Sequence, residues 1–546
     1  MGVLGCSSDI YFRMGLLNIR RFNVTGLCVP EEDYMVDISG KITQIRKLVD
    51  NRCYFTINRA RQYGKTTTLA CLEKALKNDY LVILSSFQGI GDTAFDSEAN
   101  FCQIFIELIK DAMEIANVSD ECKMMWPDSN VTTFSGLSKH ITKMCKPRHD
   151  GSSIKAVLMI DEVDKTSNNR VFLHFLEMLR QKFLDRKNRR DYTFHSVILA
   201  GVYDIKNIKL KMAGEGTYNT TQLEGKVYNS PWNIAVDFEV DMSFNPAEIA
   251  TMLAEYESDH KSGMDIPAIS SEIYNYTSGY PYLVSRICQR IDHTLNKNWT
   301  IDGVRDAVQV ILSENNTLFD DMGKNLENNE DLRDYLHKML FVGMENGFSY
   351  LNPVMNLGYM YGYLTKSENN KAIISNKIFE IIMYDYFLSK NATSMKPSTG
   401  VLQHDVVKDG RFDMELCLLK FADHYAEIWS GRDEGFIERE GRLLFLSYLK
   451  PLINGNGFYH VESQFADFRR MDLVVDYGRE EFILELKLWR GDAAHEKAYE
   501  QLYGYIAKKG ARDGYLLTFD FRKNTNKQPY AKWVEYEGVR IFDVLV

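Results

Sequence analysis

A chain of 546 residues is too long for one hydrophobic core and points to roughly two to four domains. Its 45% apolar and 26% charged residues are those of an ordinary globular protein, and no apolar run reaches the length of a membrane span. A net charge of −10 gives no global attraction to nucleic acid, and nine scattered cysteines without a Cys-x-x-Cys pair exclude a disulfide frame or zinc site, so reduced thiols in the cytoplasm are expected.

Residues 1–19 are expected to be a tail. Met1-Gly-Val-Leu-Gly-Cys6 has Cys6 where a myristoylation signal wants Ser or Thr, and Met14 is an alternative start. From 20 to 240 short apolar strands alternate with amphipathic helices, clearest at Cys53–Ile57, Tyr80–Ser85, Ala156–Ile160 and Ser196–Gly201. Continuous apolar runs of this kind suit a parallel sheet covered on both faces.

Between the first strand and a helix through Leu69, Leu72, Ala75 and Leu76 lies Thr56-Ile-Asn-Arg-Ala-Arg-Gln-Tyr-Gly-Lys-Thr-Thr-Thr68. Gly64-Lys65-Thr66 reads as the second half of a phosphate-binding loop: Gly for close backbone approach, Lys for the β- and γ-phosphates, Thr for Mg²⁺. Arg59 stands where that pattern has its first glycine. Downstream, Val157-Leu-Met-Ile-Asp161-Glu162 is an apolar strand ending in two acids. Asp161 is expected to hold Mg²⁺ through water and Glu162 to polarise the attacking water, against the plainer reading of a solvated strand end. Tyr203 or Asp204 stands where a γ-phosphate sensor is expected, though Asp204 serves equally as a helix cap.

Residues 241–300 read as helical, broken at Ser278-Gly-Tyr-Pro281, and 301–390 as helix-rich, with Asn376–Phe387 strongly amphipathic. Tyr350, Tyr359 and Tyr361 are expected to pack in the core and turns there, with Met322, Met339 and Met344 as adaptable filler. Residues 391–404 are the best linker, and 405–546 a further domain.

In that last domain Gly478-Arg479 has the chemistry of a type II′ hairpin turn. Pairing outward sets Tyr477 against Glu480, Val475 against Phe482 and Asp472 against Glu485, so Asp472, Glu485 and Lys487 share one side. The other side, Met471, Leu473, Val475, Phe482, Leu484 and Leu486, is expected to be the core face. Facing carboxylates repel and ask for a cation. Mg²⁺-dependent phosphodiester hydrolysis needs such a pair: Asp472 and Glu485 as ligands, the Leu486 carbonyl as a third donor, and Lys487 to activate water or stabilise the pentavalent phosphate. A helix over 493–508 carries Gln501 and Tyr505 on one face, and Gly514–Phe521 reads as a core strand, giving an αβββαβ layout. Arg469, Arg470, Lys497, Lys508 and Lys509 are either a phosphate track or a solvated face. His424, His460 and His495 lack ligand spacing and read as surface or satisfied core histidines.

Arg20-Arg-Phe-Asn-Val-Thr-Gly-Leu-Cys28, Tyr34-Met-Val-Asp37 and the Thr56–Thr67 loop resemble the bacterial AAA-ATPase-like proteins with a C-terminal PD-(D/E)XK nuclease domain. The resemblance implies an α/β protein: a P-loop ATPase core at 20–240, a helical lid at 241–300, a winged-helix-like connector at 301–390 and a restriction-endonuclease-like α/β domain at 405–546. It makes Arg59 a family trait, and places Arg61, Gly64, Lys65, Thr66, Thr67 and Asp161 around ATP, with Thr66 and Asp161 on Mg²⁺. In the nuclease part it adds Gln501 and Tyr505 lining the site, and Glu440 as the helix-borne acid, with Glu438 the alternative. The expected partner is nucleic acid, DNA first, with homo-oligomers and no membrane. The competing expectation is a nucleotide-sensing switch whose nuclease-like fold binds nucleic acid or protein without cutting.

Overall fold

The computed structural model describes residues 20–115, 131–147, 153–163, 169–202, 232–342, 344, 346–394, 406–429, 438–453, 457–463, 471–520 and 529–546. The expected tail, Tyr203, Asp204, Arg469 and Arg470 lie outside them, as do the side chains of Glu438, Glu440 and Asp472 and those of His424 and His460. By internal contacts the chain divides into two units. The first is Met1–Tyr274 with Gly279–Gln289 and Met360–Gly362, and the second is Asn275–Ser278 with Arg290–Tyr359 and Tyr363–Val546.

In the first unit α1 (Ser39–Asp50), β1 (Tyr54–Asn58), α2 (Lys65–Leu76), β2 (Leu81–Ser86), α3 (Glu98–Ile115), α4 (Phe134–Cys145), β3 (Ala156–Asp161), α5 (Arg170–Lys187) and β4 (Ser196–Gly201) follow in order. The strands form a parallel sheet in the order β1-β4-β3-β2, and Val236 bridges Phe55 on the free side of β1. Both faces are covered. Ile45, Leu69 and Leu72 of α1 and α2 pack on Phe55, Val157 and Ile198. Phe105, Leu137 and Phe175 of α3, α4 and α5 pack on Tyr54, Leu158 and Val197. Successive strand residues point to opposite faces, so a sheet buried on both sides needs uninterrupted apolar runs.

Three helices follow, α6 (Pro246–His260), α7 (Ile266–Thr277) and α8 (Pro281–His293). A capping box closes the start of α6, with Asn245 and Glu248 each bonding the other's backbone N–H. Gly279, at φ +74°, accepts the Phe244 N–H on its carbonyl oxygen at 2.8 Å. A Cβ there would fall 1.9 Å from the Phe244 carbonyl oxygen, so glycine is required at this break.

The second unit begins with α9 (Ile301–Leu312), α10 (Thr317–Asn328) and α11 (Glu330–His337). Then come α12 (Pro353–Met360), the hairpin β5 (Leu364–Lys366) and β6 (Ala372–Ile374), and α13 (Lys377–Ser394). Phe348, Tyr350 and Tyr359 meet edge to face, which is core and turn packing as expected. Helix α13 runs four residues into the stretch expected as linker.

After the short ladder β7 (Val407–Lys408) with β8 (Arg411–Phe412), the elements are α14 (Met414–Trp429), α15 (Glu438–Ile453), β9 (Gly457–Ser463), β10 (Met471–Tyr477), β11 (Glu480–Leu488), α16 (Asp492–Lys509), β12 (Asp513–Phe519), β13 (Tyr530–Tyr536) and β14 (Val539–Leu545). They build a six-stranded mixed sheet in the order β13-β14-β12-β11-β10-β9. The last hairpin, β13–β14, extends the αβββαβ layout read from the sequence. One expectation is corrected here. Both faces of the β10–β11 ribbon are core, because Ala498, Leu502 and Ile506 of α16 pack on Val474, Ile483 and Leu516, on the same side as Glu485. On the other side Leu473, Leu484 and Leu486 are also buried, and Phe421 of α14 meets Phe445 of α15 and Phe519 of β12.

His195, at the foot of β4, packs against Tyr80, and its pKa is pushed down to about 4, first by burial and then by Arg52, Arg186 and Lys155. The folded protein therefore binds a proton here less readily than the unfolded chain. Stability from this residue is complete above the ordinary histidine value of 6.5 and is lost as pH falls towards 4. We expect His195→Gln to flatten the loss of thermal stability between those values by about 3 kcal/mol, read from melts in a pH series.

Candidate functional site

The loop between β1 and α2 is shaped by residues that are not the glycines of the common pattern. Gly64 is left-handed at φ +73° and Gln62 at φ +56°, the latter a conformation a glutamine adopts only at a cost. Arg59 anchors the start of the loop: its guanidinium donates to the Asn58 and Val240 carbonyls, both at 2.8 Å, and lies over the Phe238 ring. Tyr280, in the break before α8, donates its hydroxyl to the Arg61 carbonyl, and its ring meets Tyr63 edge-on. Gly362 abuts the same loop, where a Cβ would come 2.8 Å from the Ala60 Cβ.

Within this frame the expected phosphate-loop residues come together. Lys65 is buried, with its ammonium on the Arg59 and Ala60 carbonyls at 3.0 and 2.9 Å. The Thr66 hydroxyl donates to Asp161 Oδ2 at 2.6 Å, which joins the first turn of α2 to the end of β3 although β4 lies between the two strands. Asp161 Oδ1 accepts the Glu162 N–H at 2.9 Å, and Glu162 takes φ +57°. Thr67 faces the N-terminal segment, accepting the Cys28 N–H at 3.3 Å. The Arg61 side chain is exposed, and its carbonyl accepts the Tyr280 hydroxyl. Beside Gly64 and Thr67 opens a cavity of about 130 Å³ walled by Cys28, Met35, Ile38, Phe244 and Tyr282. None of these five was foreseen from the sequence, because no local pattern links residues so far apart in the chain.

In the second unit the hairpin register is the one derived from the turn: Tyr477 opposite Glu480, Val475 opposite Phe482, Asp472 opposite Glu485. Gly478 has φ +60° and Arg479 has no positive φ, as type II′ demands and type I′ would not. Glu485 is sealed from solvent, and the Lys487 ammonium is paired with its carboxylate. Leu486 is buried. Tyr505 is buried on α16, with Gln501 part-buried one turn before it. Lys509 is paired with Glu481 at 3.1 Å. Among the described residues no group of three or more His, Cys, Asp or Glu gathers as a metal cluster. His495 is a satisfied core histidine bonded to Asp543 at 3.0 Å, a buried acid that sequence reasoning missed although it stands on the apolar face of its strand between Ile541 and Leu545.

The loop geometry predicts that Arg59→Ala, by freeing two carbonyls from a charged donor, lowers stability by about 2 kcal/mol. Its nucleotide affinity falls severalfold, measured as a smaller nucleotide-induced rise in melting temperature.

No curated protein matches this chain. Among solved structures, a Walker-type ATPase of Pyrococcus abyssi is 12% identical over 66% of this chain and 99% of its own, with a TM-score of 0.43. Cdc6p from Pyrobaculum aerophilum is 12% identical over 68% and 97%, at 0.31. The ORC2 protein of Aeropyrum pernix, in ADPNP–ADP complexes, is 10% identical over 68% and 98%, at 0.34. Scores this low carry no argument about this chain. The AAA-like domain family matches residues 34–345, more than half of the sequence, and with the Lys65–Thr66–Asp161 loop already in place the chain belongs to that family.

Proposed function

We propose that this AAA-like protein binds and hydrolyses ATP in its first unit and, in its second, cuts nucleic acid with Mg²⁺ at a PD-(D/E)XK-type site. The observation that carries the nuclease half is the β10–β11 register, which sets Asp472 opposite Glu485 with Lys487 against the Glu485 carboxylate.

For the nucleotide half, the donor set fits the ligand. Lys65 now rests on loop carbonyls that a triphosphate's β- and γ-oxygens would replace, and the amides at the start of α2 face the same space. The paired Thr66 and Asp161 are hard oxygen donors of the kind Mg²⁺ takes, and the apolar cavity beside Thr67 suits a flat base. Arg61, whose side chain is exposed, would approach phosphate from the solvent side. Glu162 would hold and polarise the attacking water, while Lys65 answers charge gathering on the γ-phosphoryl oxygens.

For the nuclease half, Asp472, Glu485 and the Leu486 carbonyl would hold Mg²⁺, which lowers the pKa of bound water and offsets charge on the phosphate. Lys487 supplies an ammonium two residues on from Glu485, placed to orient the water or stabilise the pentavalent phosphorus. Gln501 and Tyr505 would line the site from α16, and Glu440, or Glu438, would supply the helix-borne acid. ATP binding or turnover controls this cutting, and DNA is the substrate we favour.

A second reading, a nucleotide-controlled switch that binds without cutting, draws on the complete burial of Glu485 beneath α16. The two are separated by assaying plasmid and linear DNA with Mg²⁺, with and without ATP. We expect Lys65→Ala to abolish ATP turnover, and Lys487→Ala to lower cutting at least a hundredfold while ATP turnover stays normal. A wild-type chain that turns over ATP yet cuts neither DNA nor RNA, and takes up no Mg²⁺ at Glu485, leaves only the switch.

A further inference from the structure

The buried polar groups of the second unit do not end at Glu485. Across the sheet Glu485 of β11 stands beside Leu516 of β12, and Leu516 beside Asp543 of β14, while Lys487 stands beside Thr518. Partners in a parallel ladder share a face, so Glu485, Thr518 and Asp543 all lie under α16, with Thr518 one pleat on from the row joining the two acids. Their exposures are 0, 1 and 0%.

Asp543 is the best held of them. Its Oδ2 accepts from His495 at 3.0 Å, from the Tyr499 hydroxyl at 2.6 Å and from the Tyr530 hydroxyl at 2.8 Å. Burial alone would push its carboxyl up, and these bonds outweigh burial and hold it below the ordinary range. Desolvation, together with the same carboxylate, drives the Tyr499 and Tyr530 phenols far above theirs. Asp543 Oδ1, Thr518 Oγ1 and Gln501 Oε1 are buried without a hydrogen-bond partner among the described residues.

A charge so deep is a poor way to gain stability, since an apolar side chain of the same shape commonly does as well or better. What it supplies is direction. Ala498, Leu502 and Ile506 pack α16 on the sheet, but apolar contact does not by itself fix a helix's rotation or height. His495 and Tyr499 are one turn apart on α16, and with Tyr530 of β13 they lock the first two turns of the helix to one oxygen of β14. Gln501 and Tyr505 follow on that helix, with Gln501 about 9 Å further along than His495.

We propose that Asp543, through His495, Tyr499 and Tyr530, is the positioning residue that sets α16 so that Gln501 and Tyr505 meet the Glu485–Lys487 site. This rests on the nuclease reading. Asp543 is sealed beneath the helix and touches neither DNA nor nucleotide, so its loss reduces turnover without altering substrate binding.

The test uses the full-length chain with Mg²⁺ and linear DNA. Asp543→Asn keeps the shape and removes the charge; we expect kcat for cutting to fall at least tenfold with KM for DNA and ATP turnover unchanged. Tyr499→Phe and Tyr530→Phe each remove one donor and should lower kcat two- to fivefold. Backbone amides of α16 should exchange with deuterium faster in Asp543→Asn, while those of β10 and β11 stay protected. Normal kcat in Asp543→Asn, or a loss shared equally by ATP turnover, overturns the positioning role although the wild type still cuts. A wild type that cuts nothing overturns the nuclease reading, and the positioning role with it.

Discussion

A carboxylate taken out of water has to be answered by a donor or a cation, and both units of this protein are organised around that requirement. Asp161 is nearly sealed at the end of an apolar strand and is met by the Thr66 hydroxyl and the Glu162 amide. Glu485 is met by Lys487, and Asp543 by an imidazole and two phenols. Each acid is buried on its strand beside apolar core residues, so each fixes its neighbours with a specificity that apolar packing lacks. In the first unit the consequence is a bond between α2 and β3 across an intervening strand. In the second it is a helix tied through its first two turns to β14.

The loop between β1 and α2 keeps its shape although its sequence departs from the common glycine pattern. Glycines commonly permit the turns of such a loop; here Gln62 takes a left-handed conformation despite its side chain, and Arg59 replaces flexibility with two bonds to carbonyls. The loop is held from outside, by the Val240 backbone and by Tyr280, rather than shaped by its own composition. Tolerance for the cost at Gln62 follows from that external hold.

Much of this was legible in the sequence for physical reasons. Strands β1 to β4 announce themselves because a sheet covered on both faces cannot afford polar residues in its middle. The β10–β11 register follows from one turn, since a two-residue hairpin leaves no freedom in pairing. The same hairpin also marks the limit. Val474 and Ile483 share a side with Glu485, and reading that side by its expected acids hid the apolar pair that α16 covers. The β13–β14 hairpin went unread although Glu537-Gly538, both with positive φ, is a type I′ turn with Tyr536 and Val539 at its flanks. The cavity beside Thr67 had no local signal, because residues 23–38, 242–252 and 281–285 meet only in three dimensions.

Neither unit is a continuous length of polypeptide. Met360–Gly362 is grouped with the first unit although the residues on either side belong to the second. Gly362 touches Ala60 in the phosphate loop, so a shortened ATPase ending anywhere before residue 360 would keep every residue of the Gly64–Thr67 motif and still lose part of the loop's surroundings. Weak nucleotide binding by such a fragment would describe the truncation and not the full chain, because the first compact unit extends past α8 to take in Met360–Gly362.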